Sequence, residues 1–191
     1  MPDSLQAIGN YAFSGCAGLI GEVAVPSGVA VIGNYAFSGC AGVSGFRLPD
    51  NLLTIGAYAF EGNTNLTDFY IPDNVTTIGS YAFRNCTDLS SMKLPLNWTT
   101  AGMTGYGNGY LFAGCTSLTV VTVPEGVENL PVYAFRGSTL LRIVKLPDSL
   151  RAIGNYAFDG CAGLEAVWIG AGVTSTAQMR LTAAQTSPYT G

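Results

Sequence analysis

The sequence predicts a repeat solenoid built around a parallel sheet, on three observations. A unit recurs from one end of the chain to the other. Its prolines fall at Pro2, Pro26, Pro49, Pro72, Pro95, Pro124 and Pro147, in steps of 24, 23, 23, 23, 29 and 23 residues. Within each unit the aliphatic residues keep a fixed phase. The hydrophobic residues, 48% of the chain against 10% charged, sit at those fixed positions, and no apolar run approaches the roughly 18 residues of a spanning helix. The stretch Pro147-Asp-Ser-Leu-Arg-Ala-Ile-Gly-Asn-Tyr-Ala-Phe-Asp-Gly-Cys-Ala-Gly-Leu-Glu-Ala-Val-Trp-Ile169 shows the whole unit.

A period of roughly 20–29 residues with leucine-type residues in phase marks a leucine-rich-repeat solenoid, α/β by convention though strand-rich here. About seven coils of 23 residues occupy positions 1–169, and 170–191 read as a degenerate last coil or tail. The array is one elongated body, so length does not count domains. One unit buries too few side chains to offset the entropy of ordering its own backbone, so each coil must close the open side of the one before it.

The elements follow in order. Pro-Asp, as at Pro2-Asp3, Pro49-Asp50, Pro72-Asp73 and Pro147-Asp148, is turn chemistry: Pro fixes φ and Asp bonds nearby backbone. An aliphatic and then Ile-Gly come next (Leu5 with Ile8-Gly9, Leu52 with Ile55-Gly56). Tyr-Ala-Phe starts at Tyr11, Tyr35, Tyr58, Tyr81, Tyr133 and Tyr156, with Tyr110-Leu-Phe112 in the fifth unit. A Gly or Asn precedes the Cys position, and an aliphatic such as Leu66 or Leu164 closes the turn. The unit ends on an apolar–variable–apolar strand, as in Phe46-Arg-Leu48, Phe69-Tyr-Ile71 and Val167-Trp-Ile169, which puts one face in the core.

Three irregularities break the pattern. An extra residue in Leu19-Ile-Gly-Glu-Val23 predicts a bulge. The fifth unit inserts six residues in a glycine-rich, uncharged stretch, Met103 to Gly109, with Tyr106 at its tip. In the sixth, Leu130-Pro131 replaces Ile-Gly. Met1-Pro2-Asp3 opens on a repeat boundary with no visible signal segment, which reads as a fragment cut at a repeat edge, a cytoplasmic mature chain being the alternative. A bare end coil would expose apolar area, so end-to-end self-association is a further expectation.

Composition narrows the function. A net charge of −4 argues against a general nucleic-acid role. The absence of histidine removes Ser-His-Asp and Cys-His catalysis, histidine metal sites and histidine pH switching. Gly105-Tyr-Gly-Asn-Gly109 is not followed by the Lys-Ser/Thr of a phosphate loop. Cys16, Cys40, Cys86, Cys115 and Cys161 each lie three residues after the Phe of their own unit, with Asn63 and Ser138 in the same place elsewhere. Such a position wants a small side chain bonded to backbone inside the turn, so a buried thiol ladder is expected in preference to zinc or disulfides. Asp3, Asp50, Asp73, Glu125 and Asp148 share one turn position and read as turn formers, with a calcium ladder as the alternative. Asn65-Leu-Thr67, Asn74-Val-Thr76, Asn85-Cys-Thr87 and Asn97-Trp-Thr99 match the glycosylation pattern, which is short and often fortuitous. No cofactor, metal site or catalytic set is indicated.

The unit, with its Ile-Gly-x-x-Ala-Phe-x-x-Cys core, closely resembles the BspA-like leucine-rich repeat over residues 2–169. The resemblance implies a right-handed solenoid with a parallel sheet on one side and loops or short helical turns on the other. It also implies a surface or secreted protein of bacteria or protists, acting in adhesion by binding host or matrix proteins, without catalytic residues or membrane insertion. The fifth-unit insertion departs from the pattern.

Residues that vary against a constant background carry the specific information. One outward stripe of the sheet runs Ala24, Arg47, Tyr70, Lys93, Thr122, Lys145, Trp168, and a second runs Glu22, Gly45, Asp68, Ser91, Val120, Ile143, Ala166. Arg, Tyr and Trp are the types enriched at binding hot spots. Arg47, Asp68, Tyr70, Lys93, Tyr106, Lys145 and Trp168 are therefore the candidate partner-binding residues, an ordinary solvated sheet face being the plain alternative. Three functions stay open at this point: a non-enzymatic protein-interaction module, a structural spacer within a larger surface protein, and a carbohydrate-binding repeat that uses the tyrosine ladder.

Overall fold

A computed structural model describes residues 1–98 and 109–176. These form short strands only: β1 (Ala7–Ile8), β2 (Gly21–Ala24), β3 (Val31–Ile32), β4 (Val43–Arg47), β5 (Thr54–Ile55), β6 (Asp68–Tyr70) and β7 (Thr77–Ile78). They continue with β8 (Ser91–Lys93), β9 (Val120–Thr122), β10 (Asn129–Leu130), β11 (Ile143–Lys145), β12 (Ala152–Ile153), β13 (Ala166–Trp168) and β14 (Ser175–Thr176). All pairings are parallel, coil on coil, as the fixed period demands: Tyr70 lies beside Lys93, and Thr122, Lys145 and Trp168 lie in one row.

Along the expected face lie β2–β4, β6–β8 and β9–β11–β13, hydrogen-bonded in three groups, with a buried residue between two exposed ones in strands such as Asp68–Phe69–Tyr70. The bulge is present: the β2–β4 register shifts between Gly21 and Glu22, with Gly21 at φ +75°. The far side differs from the expected loops or short helical turns. No helix occurs among the described residues, and a second parallel ladder runs there through β1–β3–β5–β7 and β10–β12–β14. Its cause lies in the Ile-Gly pair. The glycine N–H donates to the preceding coil, Gly33 to the Ile8 carbonyl and Gly56 to the Ile32 carbonyl, each at 2.8 Å. A Cβ on Gly33 would stand 2.7 Å from the Asn10 nitrogen, so only glycine lets the coils approach this closely.

The ladder continues past the last sheet strand, since Ser175 pairs with Ala152. The inserted stretch with Tyr106 and the end of the tail, 177–191, lie outside the described residues.

The core is the space between the two ladders. Phe37, Phe60, Phe83, Phe112 and Phe135 stack in a file with ring centroids 5.4–5.8 Å apart, and Phe46 and Phe69 meet them edge-on from the sheet. Buried Val, Ile and Leu fill the remainder. Each coil thus covers the apolar side of its neighbour, which is how a chain with so few charges satisfies its interior.

Candidate functional site

The Cys position needs only one hydrogen-bond donor of small size, and the structure shows why. Cys40, Cys86, Cys115 and Cys161 each point the thiol at the Phe carbonyl of the preceding coil, Sγ to O at 3.0, 3.1, 3.2 and 3.0 Å. Asn63 Nδ2 serves the Phe37 carbonyl at 2.9 Å, and Ser138 Oγ serves that of Phe112 at 3.2 Å. All five thiols are free, and burial raises those of Cys86 and Cys161 to about 12 and that of Cys115 well above its ordinary value. These thiols are structural groups and poor nucleophiles.

The turn acids bond backbone, but across coils: Asp73 Oδ1 accepts from Leu96 N at 3.3 Å, Glu125 from Asp148 N at 3.1 Å, and Asp148 from Ala171 N at 2.8 Å. Among the described residues no three carboxylates or thiols converge as a metal site would require.

Every coil tyrosine from Tyr11 to Tyr156 holds φ between +55° and +61°, a left-handed conformation uncommon for an aromatic residue. That geometry turns the rings into one file, centroids 4.4–5.2 Å apart and planes within 14°. Interior rings have both faces occupied by neighbours. The ladder therefore offers ring edges and hydroxyls, and a sugar has no open face to stack on along its length.

The two outward stripes lie on the sheet as the alternation requires. At one end Arg47 forms an ion pair with Glu22 on the neighbouring strand. In the middle Lys93 sits with Nζ 4.7 Å from the Tyr70 ring centre, 3.2 Å from the Tyr70 hydroxyl and 2.9 Å from Asp73 Oδ2. The hydrogen bond from Lys93 is the main cause holding the Asp73 carboxyl below its ordinary value, and the bond to Asp73 chiefly raises the ammonium. Asp73 comes from the Pro-Asp turn, a partner for Lys93 that the stripe alone does not reveal. At the other end Lys145 Nζ lies 4.6 Å from the Trp168 ring.

Gly45 carries no side chain between Glu22 and Asp68, so the sheet face has an open depression of about 520 Å³ there, edged also by Tyr70 and Lys93. The structure thus gathers Asp68, Tyr70 and Lys93 around one concavity, with Arg47 tied to Glu22 at its edge, and puts Lys145 and Trp168 together farther along the same face. Tyr106 lies outside the described residues. Sequence reasoning passed over another variable row, the residue after each coil Phe, where Glu61 pairs with Arg84 and Arg136 with Asp159. Its signal was the same as that of the sheet stripes: alternating charge against a constant background.

The arrangement suits recognition. It offers a sheet held by coil-to-coil bonds, two exposed aromatic rings each covered by a cation, and a shallow concavity of mixed polar and apolar lining. Known proteins with this architecture bear on the reading. A family model described as the BspA type leucine rich repeat region matches residues 1–109 and 106–183, in six copies. No curated protein sequence matches the chain. A leucine-rich repeat protein from Bacteroides ovatus is similar, at 25% identity and TM-score 0.71 over 93% of this chain and 53% of that one. A leucine rich cell surface protein from Faecalibacterium prausnitzii shows 26% identity and TM-score 0.61 over 88% of this chain and 52% of its own. The leucine rich repeat protein of T. pallidum shows 27% identity and TM-score 0.72, over 82% of this chain and 72% of that one. The chain spans about half the length of the first two structures.

Proposed function

Because the chain belongs to the BspA-type leucine-rich repeat family, we propose that it is a non-enzymatic protein-binding module of a cell-surface or secreted protein, acting in adhesion to a host or matrix protein. The name of the Faecalibacterium prausnitzii relative as a cell surface protein supports the location. Among the described residues no helix is long and apolar enough to cross a membrane. The observation that carries the reading is the Tyr70–Lys93 pair at the edge of the Gly45 concavity, with Arg47 beside it. Tyr70 is 52% exposed on a backbone held by coil-to-coil bonds, so binding it costs little ordering. Aromatic and guanidinium groups of this kind supply most of the affinity at protein interfaces. Lys145 with Trp168, and the inserted stretch with Tyr106, extend the proposed contact.

The test is binding of the chain to a panel of purified matrix and serum proteins, beside a folded Arg47→Ala/Tyr70→Ala/Lys93→Ala variant. A partner bound by the parent and lost by the variant is the expected result. A partner bound equally by both would remove this site assignment. A second reading, a spacer that projects other parts of a longer protein, is favoured by the chain spanning about half of two of the similar structures. No binding to any protein of the panel would shift the balance to it.

A further inference from the structure

We propose that Arg84 and Arg136, separated by one coil across Ala113, form a site for an acidic oligosaccharide on a part of the solenoid distinct from the sheet face. The residue after each coil Phe forms a row along the axis, which here reads Glu61, Arg84, Ala113, Arg136, Asp159. Backbone bonds fix the order: Asn85 N donates to the Ala113 carbonyl at 2.8 Å and Gly114 N to that of Arg136 at 2.7 Å. The two carboxylates stand outside the arginines. Arg84 Nε donates to Glu61 at 2.8 Å on the side of the preceding coil, and Arg136 Nε to Asp159 at 3.2 Å on the side of the following one.

Between the arginines the short Ala113 leaves a depression of about 460 Å³. No carboxylate is among the described residues that line it. Nη1 of Arg84 and both Nη groups of Arg136 have no protein acceptor among the described residues. The outer acids orient the guanidiniums, and the inner donors are left for a ligand. Arg84 is further steadied by the Tyr81 ring, 5.0 Å from Cζ, and Arg136 by the Tyr133 ring at 5.4 Å.

The spacing selects the ligand. Two coil steps of about 4.8 Å place the arginine backbones roughly 10 Å apart, and the ion pairs to Glu61 and Asp159 draw the two guanidiniums toward opposite ends, away from a single small oxyanion between them. Linked sugar rings with an acid group toward each end can bridge them. The floor is Ala113 and the bare backbone of Gly114 and Gly137, which is shallow and open. It is bordered by Asn85, whose carboxamide lies over Gly114, and by Tyr110. These neutral groups suit hydroxyls. A peptide finds less: the turn amides are already spent between coils, so no strand edge is open for it to add to. With a net charge of −4 the protein does not attract polyanions in general, so the local pair must do the selecting.

The experiment is calorimetric titration of the chain with a sulfated heparin-type tetrasaccharide at low salt. One saturable site is expected, weakened at least roughly tenfold by Arg84→Gln and by Arg136→Gln. Ala113→Glu, which fills the floor with a carboxylate between the two guanidiniums, is expected to abolish it. Arg142→Gln, which breaks a comparable ion pair elsewhere, is expected to leave it unchanged. Neutral cellotetraose and inorganic sulfate are expected to give no saturable signal. The proposal is overturned by no tetrasaccharide binding, by binding that persists in the folded arginine and Ala113 variants, or by tetraglutamate or inorganic sulfate binding as tightly.

Discussion

Tyr58 and Tyr81 lie ring on ring, centroids 4.5 Å apart and planes within 4°, and both hold a left-handed backbone, at φ 58° and 61°. The strain and the stack arise together. The left-handed turn lets the Tyr58 N–H donate to the Ser80 carbonyl of the next coil at 3.0 Å while its ring falls into the file. A non-glycine residue there bears a cost of about 1–2 kcal/mol, offset by two stacks of about 0.5–1.5 kcal/mol each.

Substitution at Tyr58 should therefore invert the usual order of alanine and glycine. Both Tyr58→Ala and Tyr58→Gly lose the stacks on Tyr35 and Tyr81. Only Tyr58→Gly relieves the backbone strain, so it should be more stable than Tyr58→Ala by about 1 kcal/mol. Thermal unfolding of the two variants side by side checks this, and a less stable glycine variant would mean that the strain is absent.

The thiol ladder should be chemically silent in the folded state. Cys86, Cys115 and Cys161 are held protonated by burial, so an alkylating reagent near pH 8 should leave them unmodified until denaturant is added, and should reach half-buried Cys16 first. The sign of the pH effect follows. The unfolded chain loses these protons from about pH 8.5 and the folded chain only near pH 12 for Cys86, so stability should fall as pH rises through that interval.

Asn63 tests what the Cys position demands. Its Nδ2 bonds the Phe37 carbonyl and, at 2.6 Å, that of Phe60, in a fully buried place. Asn63→Cys should be tolerated because the thiol can still reach the preceding coil. Asn63→Ala should cost about 1–3 kcal/mol by leaving buried carbonyls unmet. Comparing the two unfolding midpoints decides between a need for a donor and a need for small size alone.

How much of this was legible in the sequence depended on which interactions keep the 23-residue period. The sheet register and both outward stripes were, because Tyr70 and Lys93 differ by one repeat and alternation fixes their face. The need for a small hydrogen-bonding side chain at the Cys position was also readable, but its partner was not: the bond goes to the Phe carbonyl of the preceding coil and not to backbone inside the same turn, except for the second bond of Asn63. The second ladder was hidden, since two-residue strands such as Thr54–Ile55 are too short to show alternation, and the glycine beside them reads as a turn. The left-handed tyrosines were hidden because that conformation belongs ordinarily to glycine and asparagine. The Lys93–Asp73 bond joins different parts of neighbouring units, 20 residues apart, and the Arg84–Ala113 step is lengthened to 29 by the fifth-unit insertion. The first does not keep the period and is hidden when the units are aligned; the second shows only when they are aligned on the coil Phe and not on a fixed 23-residue step.

The Lys93–Asp73 pair gives the sheet face a pH signature. The Asp73 carboxyl is lowered by its hydrogen bond from Lys93, so its contribution to stability is present above the unfolded carboxylate value of about 3.9 and is lost as pH falls through the lower folded value. The Lys93 ammonium is raised, so its contribution is present below about pH 10.4 and is lost as pH rises through the higher folded value. The difference in unfolding midpoint between the parent chain and Asp73→Asn should be greatest between those limits and shrink outside them. The same substitution frees Lys93 on the exposed side of Tyr70, so a partner that meets this face with a carboxylate should bind Asp73→Asn more tightly at neutral pH. A midpoint difference that does not change with pH would show that the Asp73 carboxylate gains nothing from Lys93 and that Lys93 is already free to meet a partner.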